Sequence, residues 1–168
     1  MMSIGPVHTL QKKLLSTLVT IAAGLALVAL PAFADPPADK ADKAVAMVKK
    51  AVQYCKTSGR DTAMIAFNNQ KGDFVEGELY IFAYDFSGKN LAHGAKAEAI
   101  GKNYLDLKDP DGKYIIKEMI EVVKSKGSGW VDYKYKNPVS GAVEQKSSYV
   151  EKIGDYFVGC GIYKAKQI

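Results

Sequence analysis

The stretch that most constrains this chain runs from Gly127 to Lys164 and reads GSGWVDYKYKNPVSGAVEQKSSYVEKIGDYFVGCGIYK. It holds three strand-like runs separated by turn residues. Trp130 to Lys136 is rich in aromatic and β-branched side chains, Asn137-Pro138-Val139-Ser140-Gly141 is a turn cluster, and Val143 to Ile153 is the second run. Gly154-Asp155 turns the chain again into Tyr156 to Tyr163. Such a pattern predicts an antiparallel meander. A sheet of this size has to be covered on at least one face, so the rest of the chain must supply the cover.

Candidate covering elements are legible upstream. Ala41, Ala44, Val45, Val48, Ala51, Val52 and Cys55 recur at helical spacing, with lysines on the other side. The stripe predicts a helix that opens on Asp39 as N-cap and stops at Ser58-Gly59. A short second helix is expected over Arg60 to Asn68. Lys113 to Lys126 carries Ile115, Ile116, Met119, Ile120 and Val123 along one side, a third helix stopped by Gly127. Between these lies Glu78 to Asp85, whose alternation sets Leu79, Ile81 and Ala83 on one face and Tyr80, Phe82 and Tyr84 on the other. With one aliphatic and one aromatic face, this strand is expected to be buried on both sides. Leu91-Ala92-His93 reads as its partner strand. The architecture expected is α+β: an antiparallel sheet of about five strands, with the N-terminal helix on one face and shorter helices and loops on the other.

Residues 1–34 read as a secretory signal peptide. Lys12-Lys13 form a basic start, Leu14 to Leu30 an uncharged apolar run, and Ala32-Phe33-Ala34 a small-x-small cleavage pattern after Pro31. Cleavage is expected between Ala34 and Asp35, leaving residues 35–168 as one periplasmic or secreted domain with no stable membrane insertion. The rival reading of the apolar run is an uncleaved anchor at the lower length limit for a span. Without Lys12 and Lys13 the formal charge falls from +5 to +3. That is too mild a balance, and too interleaved with acids, to point to nucleic acid.

In an oxidising compartment the two cysteines, Cys55 and Cys160, are expected to pair as a disulfide. The pairing would place Val158, Cys160 and Ile162 toward the first helix. Gly159 and Gly161 would then face the opposite side and leave room there. The alternative is a pair of buried free thiols. No C-x-x-C is present to make a catalytic dithiol.

Catalytic chemistry is thinly supplied. His93 is the one histidine after residue 34, which argues against a multi-histidine metal site. No G-x-S-x-G and no phosphate-binding glycine loop accompanies it. Asp109-Pro110-Asp111-Gly112 resembles part of a calcium loop, but Leu107 falls where the first ligand belongs, so the segment reads as a turn. No metal and no cofactor is expected. Aromatic density near strand centres, with Lys146 and His93 in the same region, instead suits a pocket for a small anionic or polar ligand.

Taken in order, several short motifs resemble the single Cache domain of type 2, an extracytoplasmic PAS-like sensor module. They are Tyr80-Ile81-Phe82-Ala83-Tyr84-Asp85, Leu91-Ala92-His93, Ile100-Gly101-Lys102-Asn103, Asp106-Leu107-Lys108-Asp109 with Asp111-Gly112, Gly129-Trp130-Val131-Asp132-Tyr133, Lys146-Ser147-Ser148-Tyr149-Val150 and Gly159-Cys160-Gly161-Ile162-Tyr163. The resemblance covers about Asp39 to Lys164, with Gly94 where the family usually has proline. It implies a PAS-like fold and non-catalytic binding of short carboxylates or amino-acid-like compounds. Carried over to this chain, the implied lining is Tyr80, Phe82, Tyr84, His93, Trp130, Tyr133, Lys146 and Tyr149. Such domains usually sit between membrane helices of a chemoreceptor or kinase, whereas this chain ends at Ile168, which implies a free-standing periplasmic form. A membrane receptor or histidine kinase is the expected partner, and the alternative function is a module that modulates such a partner without a ligand of its own.

Overall fold

The structure is a computed structural model and describes residues 40–164. The expected signal segment, its expected cleavage site and the expected Asp39 cap lie outside the described residues. Helix α1 (Lys40–Ser58) and helix α2 (Arg60–Asn68) are followed by strands β1 (Val75–Glu76), β2 (Leu79–Asp85) and β3 (Asn90–His93). A short 3-10 turn (Ala97–Ala99) and a looped stretch lead to helix α3 (Ile115–Lys126). The meander then runs as β4 (Ser128–Lys136), β5 (Val143–Ile153) and β6 (Tyr156–Tyr163).

All strand pairings are antiparallel. The sheet runs β1-β2-β6-β5-β4, and β3 pairs with β2 beside β1. The chain's last strand is therefore central, flanked by β2 and β5. The two-residue β1 is the strand beyond the five expected; its brevity leaves no periodicity to read. Helix α3 starts two residues later than its apolar pattern predicts, because Lys113 is held in a turn by Asp109.

Each face of the sheet has its own core, set by the two-residue period of the strands. On one face Leu79, Ile81 and Ala83 of β2 and Val158 and Cys160 of β6 pack against α1 and α2. On the other, Tyr80, Phe82 and Tyr84, with Val131 and Tyr133 of β4, Val150 of β5 and Phe157 of β6, pack against α3. Helix α2 thus shares the face of α1, and α3 with its preceding loop covers the other. The buried stripe of α1 includes Met47 in place of Val45, a slight rotation of the expected face.

That rotation bears on the cysteines. Both are buried free thiols, and the expected disulfide is absent. Cys160 faces α1 as anticipated, but the residue it meets is Met47, with sulfur atoms 3.8 Å apart. Cys55 lies eight residues further along α1 and neighbours Tyr156, four residues back along β6. Eight helical residues span about 12 Å and four strand residues about 13 Å, so helix and strand run in opposite senses at matched pitch. The two thiols are thereby held about two helical turns apart, well beyond the roughly 7 Å Cα limit for a disulfide.

Candidate functional site

Cross-strand register assembles the site on the α3 face. Phe82 of β2 lies opposite His93 on one side and Gly159 on the other. Tyr133 of β4, Lys146 of β5 and Tyr163 of β6 form a second row. Residues directly opposite in an antiparallel pair project to the same face, so both rows point toward α3.

Lys146 is the centre of the arrangement. It is 1% exposed. Its stem crosses the bare backbone of Gly161, where a Cβ would collide with Lys146 Cε and Ser148 Oγ. The space left by Gly161 is filled by this lysine, and that left by Gly159 by Phe82. Neither glycine leaves the open room expected of it. The ammonium donates to Tyr80 Oη at 2.7 Å and Tyr163 Oη at 3.3 Å. It lies 4.3 Å and 4.6 Å from the centroids of those two rings. Tyr163 in turn donates to the Lys136 carbonyl at 2.9 Å, and Tyr133 Oη meets Ser148 Oγ at 2.8 Å. Among the described residues Lys146 makes no ion pair. Burial pushes its ammonium down from 10.5 to about 7, against the weaker pull of Cys160 and Glu78.

His93 forms the neighbouring wall. Its ring stacks on Tyr80 at 4.9 Å between centroids. Nδ1 accepts the Ala95 N–H at 3.3 Å, and the backbone N–H of His93 donates to Asn68 Oδ1 at 2.9 Å. Burial first, then the charges of Lys146 and Lys96, lower its pKa to about 3, so the ring is neutral and its proton sits on Nε2. Burial also holds the Tyr80 and Tyr133 hydroxyls well above their ordinary range, so both remain hydrogen-bond donors.

These groups line a small, partly open cavity of about 20 Å³, with Tyr80, Phe82, Tyr84, His93, Tyr133, Tyr135 and Lys146 on the sheet side and Leu107, Ile115, Ile116 and Met119 as its roof. An outer cleft of about 480 Å³ adjoins it and shares Tyr80, His93 and Tyr135. The loop bearing Leu107 is fixed by Asp109, whose carboxylate accepts the N–H groups of Asp111 and Lys113 at 2.9 Å each and that of Lys134 on β4 at 3.1 Å. The Asp-Pro-Asp-Gly segment is thus the turn it reads as, and it ties the roof to the sheet.

Six of the eight implied lining residues meet here: Tyr80, Phe82, Tyr84, His93, Tyr133 and Lys146. Trp130 and Tyr149 do not. They lie opposite one another on β4 and β5, on the α1 face, with ring centroids 5.6 Å apart, and Trp130 is 40% exposed. Their places follow from strand period: Trp130 is three residues from Tyr133, and Tyr149 three from Lys146, so each pair projects to opposite faces. The same period would have added Tyr135 and Tyr163. The apolar roof from α3 and its loop carries no local signal that it faces a cavity.

The site thus joins a buried lysine to neutral tyrosine hydroxyls beneath an apolar roof. Residues 38–165 match the profile of the family described as Single Cache domain 2, and the chain belongs to that family. It is 38% identical over 86 residues to the sensor histidine kinase MctS of Rhizobium johnstonii, a match spanning 50% of this chain and 18% of that protein. A methyl-accepting chemotaxis protein from Vibrio parahaemolyticus has a similar solved structure, at 28% identity and TM-score 0.64, covering 73% of this chain and 87% of the other. A Cache chemosensory domain whose structure is described as the basis for carboxylic acid recognition superposes with TM-score 0.63 at 28% identity, covering 75% of this chain and 94% of the other. This chain therefore spans less than a fifth of the length of the kinase it matches, and most of the length of the two solved domains.

Proposed function

We propose that this chain is a non-catalytic extracytoplasmic sensor module that binds a small organic anion, a carboxylate or an amino-acid-like acid, in the cavity beneath α3. The observation that carries the reading is the fully buried ammonium of Lys146, which has tyrosine hydroxyls as its neighbours and no anionic partner among the described residues. An uncompensated buried charge is costly. A ligand carboxylate would supply the missing counter-charge and accept from Lys146 and Tyr80. Charge-assisted bonds of this kind contribute roughly 1.5–3 kcal/mol each. The carboxylic acid recognition described for the similar chemosensory domain supports the same ligand class.

The signal-like segment supports export to the periplasm with cleavage after Ala34. Among the described residues, no helix is long and apolar enough to cross a membrane. A membrane chemoreceptor or histidine kinase is the partner class suggested by the relatives. The test is a thermal-shift and calorimetric screen of short carboxylates and amino acids against the protein and its Lys146→Met variant. Saturable stabilisation lost in the variant supports the reading. A folded protein that binds no acid in the set would sink it and leave a ligand-free partner-binding module.

A further inference from the structure

The inner cavity, at about 20 Å³, has room for little more than one water-sized group. A carboxylate seated at Lys146 that extends past Tyr80, His93 and Tyr135, the residues both cavities share, enters the outer cleft. That cleft is not apolar. Lys96 is half-buried at its lining, Lys136 lies at its rim, and Glu98 is the one acid among its lining residues. Among the described residues, neither lysine makes an ion pair.

We propose that the outer cleft is a second anion subsite, in which Lys96 meets the far carboxylate of a dicarboxylic acid whose near carboxylate sits on Lys146. This deepens the reading of the inner cavity and rests on it. His93 lines both cavities, and after burial the charges of Lys146 and Lys96 both depress its protonation. A dianion bridging the cavities would compensate both cations, whereas a monoanion compensates one and leaves an alkyl tail against the polar lining of the cleft. Glu98 opposes any anion there, so the subsite selects through Lys96, which is more buried than Lys136 and less screened by salt.

The experiment compares two acids of equal carbon number, pentanoate and glutarate, by calorimetry at pH 6.5 on the mature protein, its Lys96→Glu variant and its Lys146→Met variant. Melting curves without ligand check that each variant folds. Glutarate is expected to bind at least tenfold tighter than pentanoate. Lys96→Glu should erase that preference while changing pentanoate affinity by less than about threefold, and Lys146→Met should abolish both. Pentanoate binding with no preference for glutarate, or equal weakening of both acids by Lys96→Glu, overturns the outer subsite and leaves the inner one standing. Failure of the folded wild-type protein to bind either acid overturns the outer subsite, and the inner reading is then decided by the wider screen of short carboxylates and amino acids.

Discussion

Lys146 and Tyr80 stand 66 residues apart in sequence and share a 2.7 Å hydrogen bond across the central strand β6. The contact exists because Gly161 offers no side chain between them. It places the one fully buried ammonium among the described residues against the aromatic face of β2 and gives the cavity its electrostatic character.

Anion binding should depend on pH through this lysine. The free amine titrates near 7, and a bound carboxylate favours its charged form, so above pH 7 binding must take up a proton. Affinity should be flat just below pH 7 and fall by up to about tenfold per unit above it. Calorimetry in buffers of different ionisation enthalpy would show proton uptake at pH 8. A carboxylate affinity unchanged between pH 6.5 and 8.5 would contradict this role for Lys146.

The ligand-free protein should lose stability as the solution is acidified. Lys146 is depressed from 10.5 to about 7 and His93 from 6.5 to about 3, so the folded state binds fewer protons than the unfolded chain in both windows. Stability then rises with pH between about 7 and 10.5, and again between about 3 and 6.5. Urea midpoints measured at pH 4.5, 6.5 and 9 should increase in that order. His93→Gln, which cannot titrate, should flatten the lower window, and an unchanged acid slope in that variant would exclude His93 as its source.

Gly161→Ala should uncouple the site. The added Cβ collides with the Lys146 stem, an overpacking that typically costs about 1–3 kcal/mol. Because the stem has to move, carboxylate binding should fall further than stability. Repeating the substitution in a Lys146→Ala background should recover a substantial part of the stability cost, the two residues being in contact. Additive costs in that cycle would show that the glycine acts through something other than Lys146.

Asp109→Ala should loosen the roof. It removes the acceptor for three backbone N–H groups, at a cost of roughly 1–3 kcal/mol. Burial raises the carboxyl pKa, but those N–H bonds outweigh it and the net shift is downward. The stability it contributes is therefore present above its ordinary value of 3.8 and lost as pH falls through the folded value. Denaturant unfolding at pH 7 measures the loss, and a change below about 0.5 kcal/mol would show that the roof does not depend on this tie.

The two cysteines should behave as buried thiols. A thiol reagent is expected to titrate two groups per chain after unfolding and to react slowly before it. Reductant should leave the melting temperature in place. A thiol count near zero in the unfolded, unreduced protein would restore the disulfide.

Most of the framework was legible from local pattern. The helical stripes located α1, α2 and α3, the turn clusters delimited β4, β5 and β6, and the alternation of β2 assigned its aliphatic and aromatic faces correctly. Each of these signals is carried by residues close in sequence, where one period, 3.6 or 2, relates spacing to direction. The same parity, applied across the meander, already separates Trp130 from Tyr133 and Tyr149 from Lys146. What only the tertiary structure decided is which distant residues oppose one another. A slide of a single residue in the packing of α1 on β6 would change the neighbour of Cys160, and the sequence does not fix that slide; the structure sets Met47 there and leaves Cys55 two turns away. Nor does it reveal that Gly161 is bare to let Lys146 pass. Register between strands and the seating of helices on a sheet are set by side chains interlocking over the whole core, and that sum is not written in any one segment.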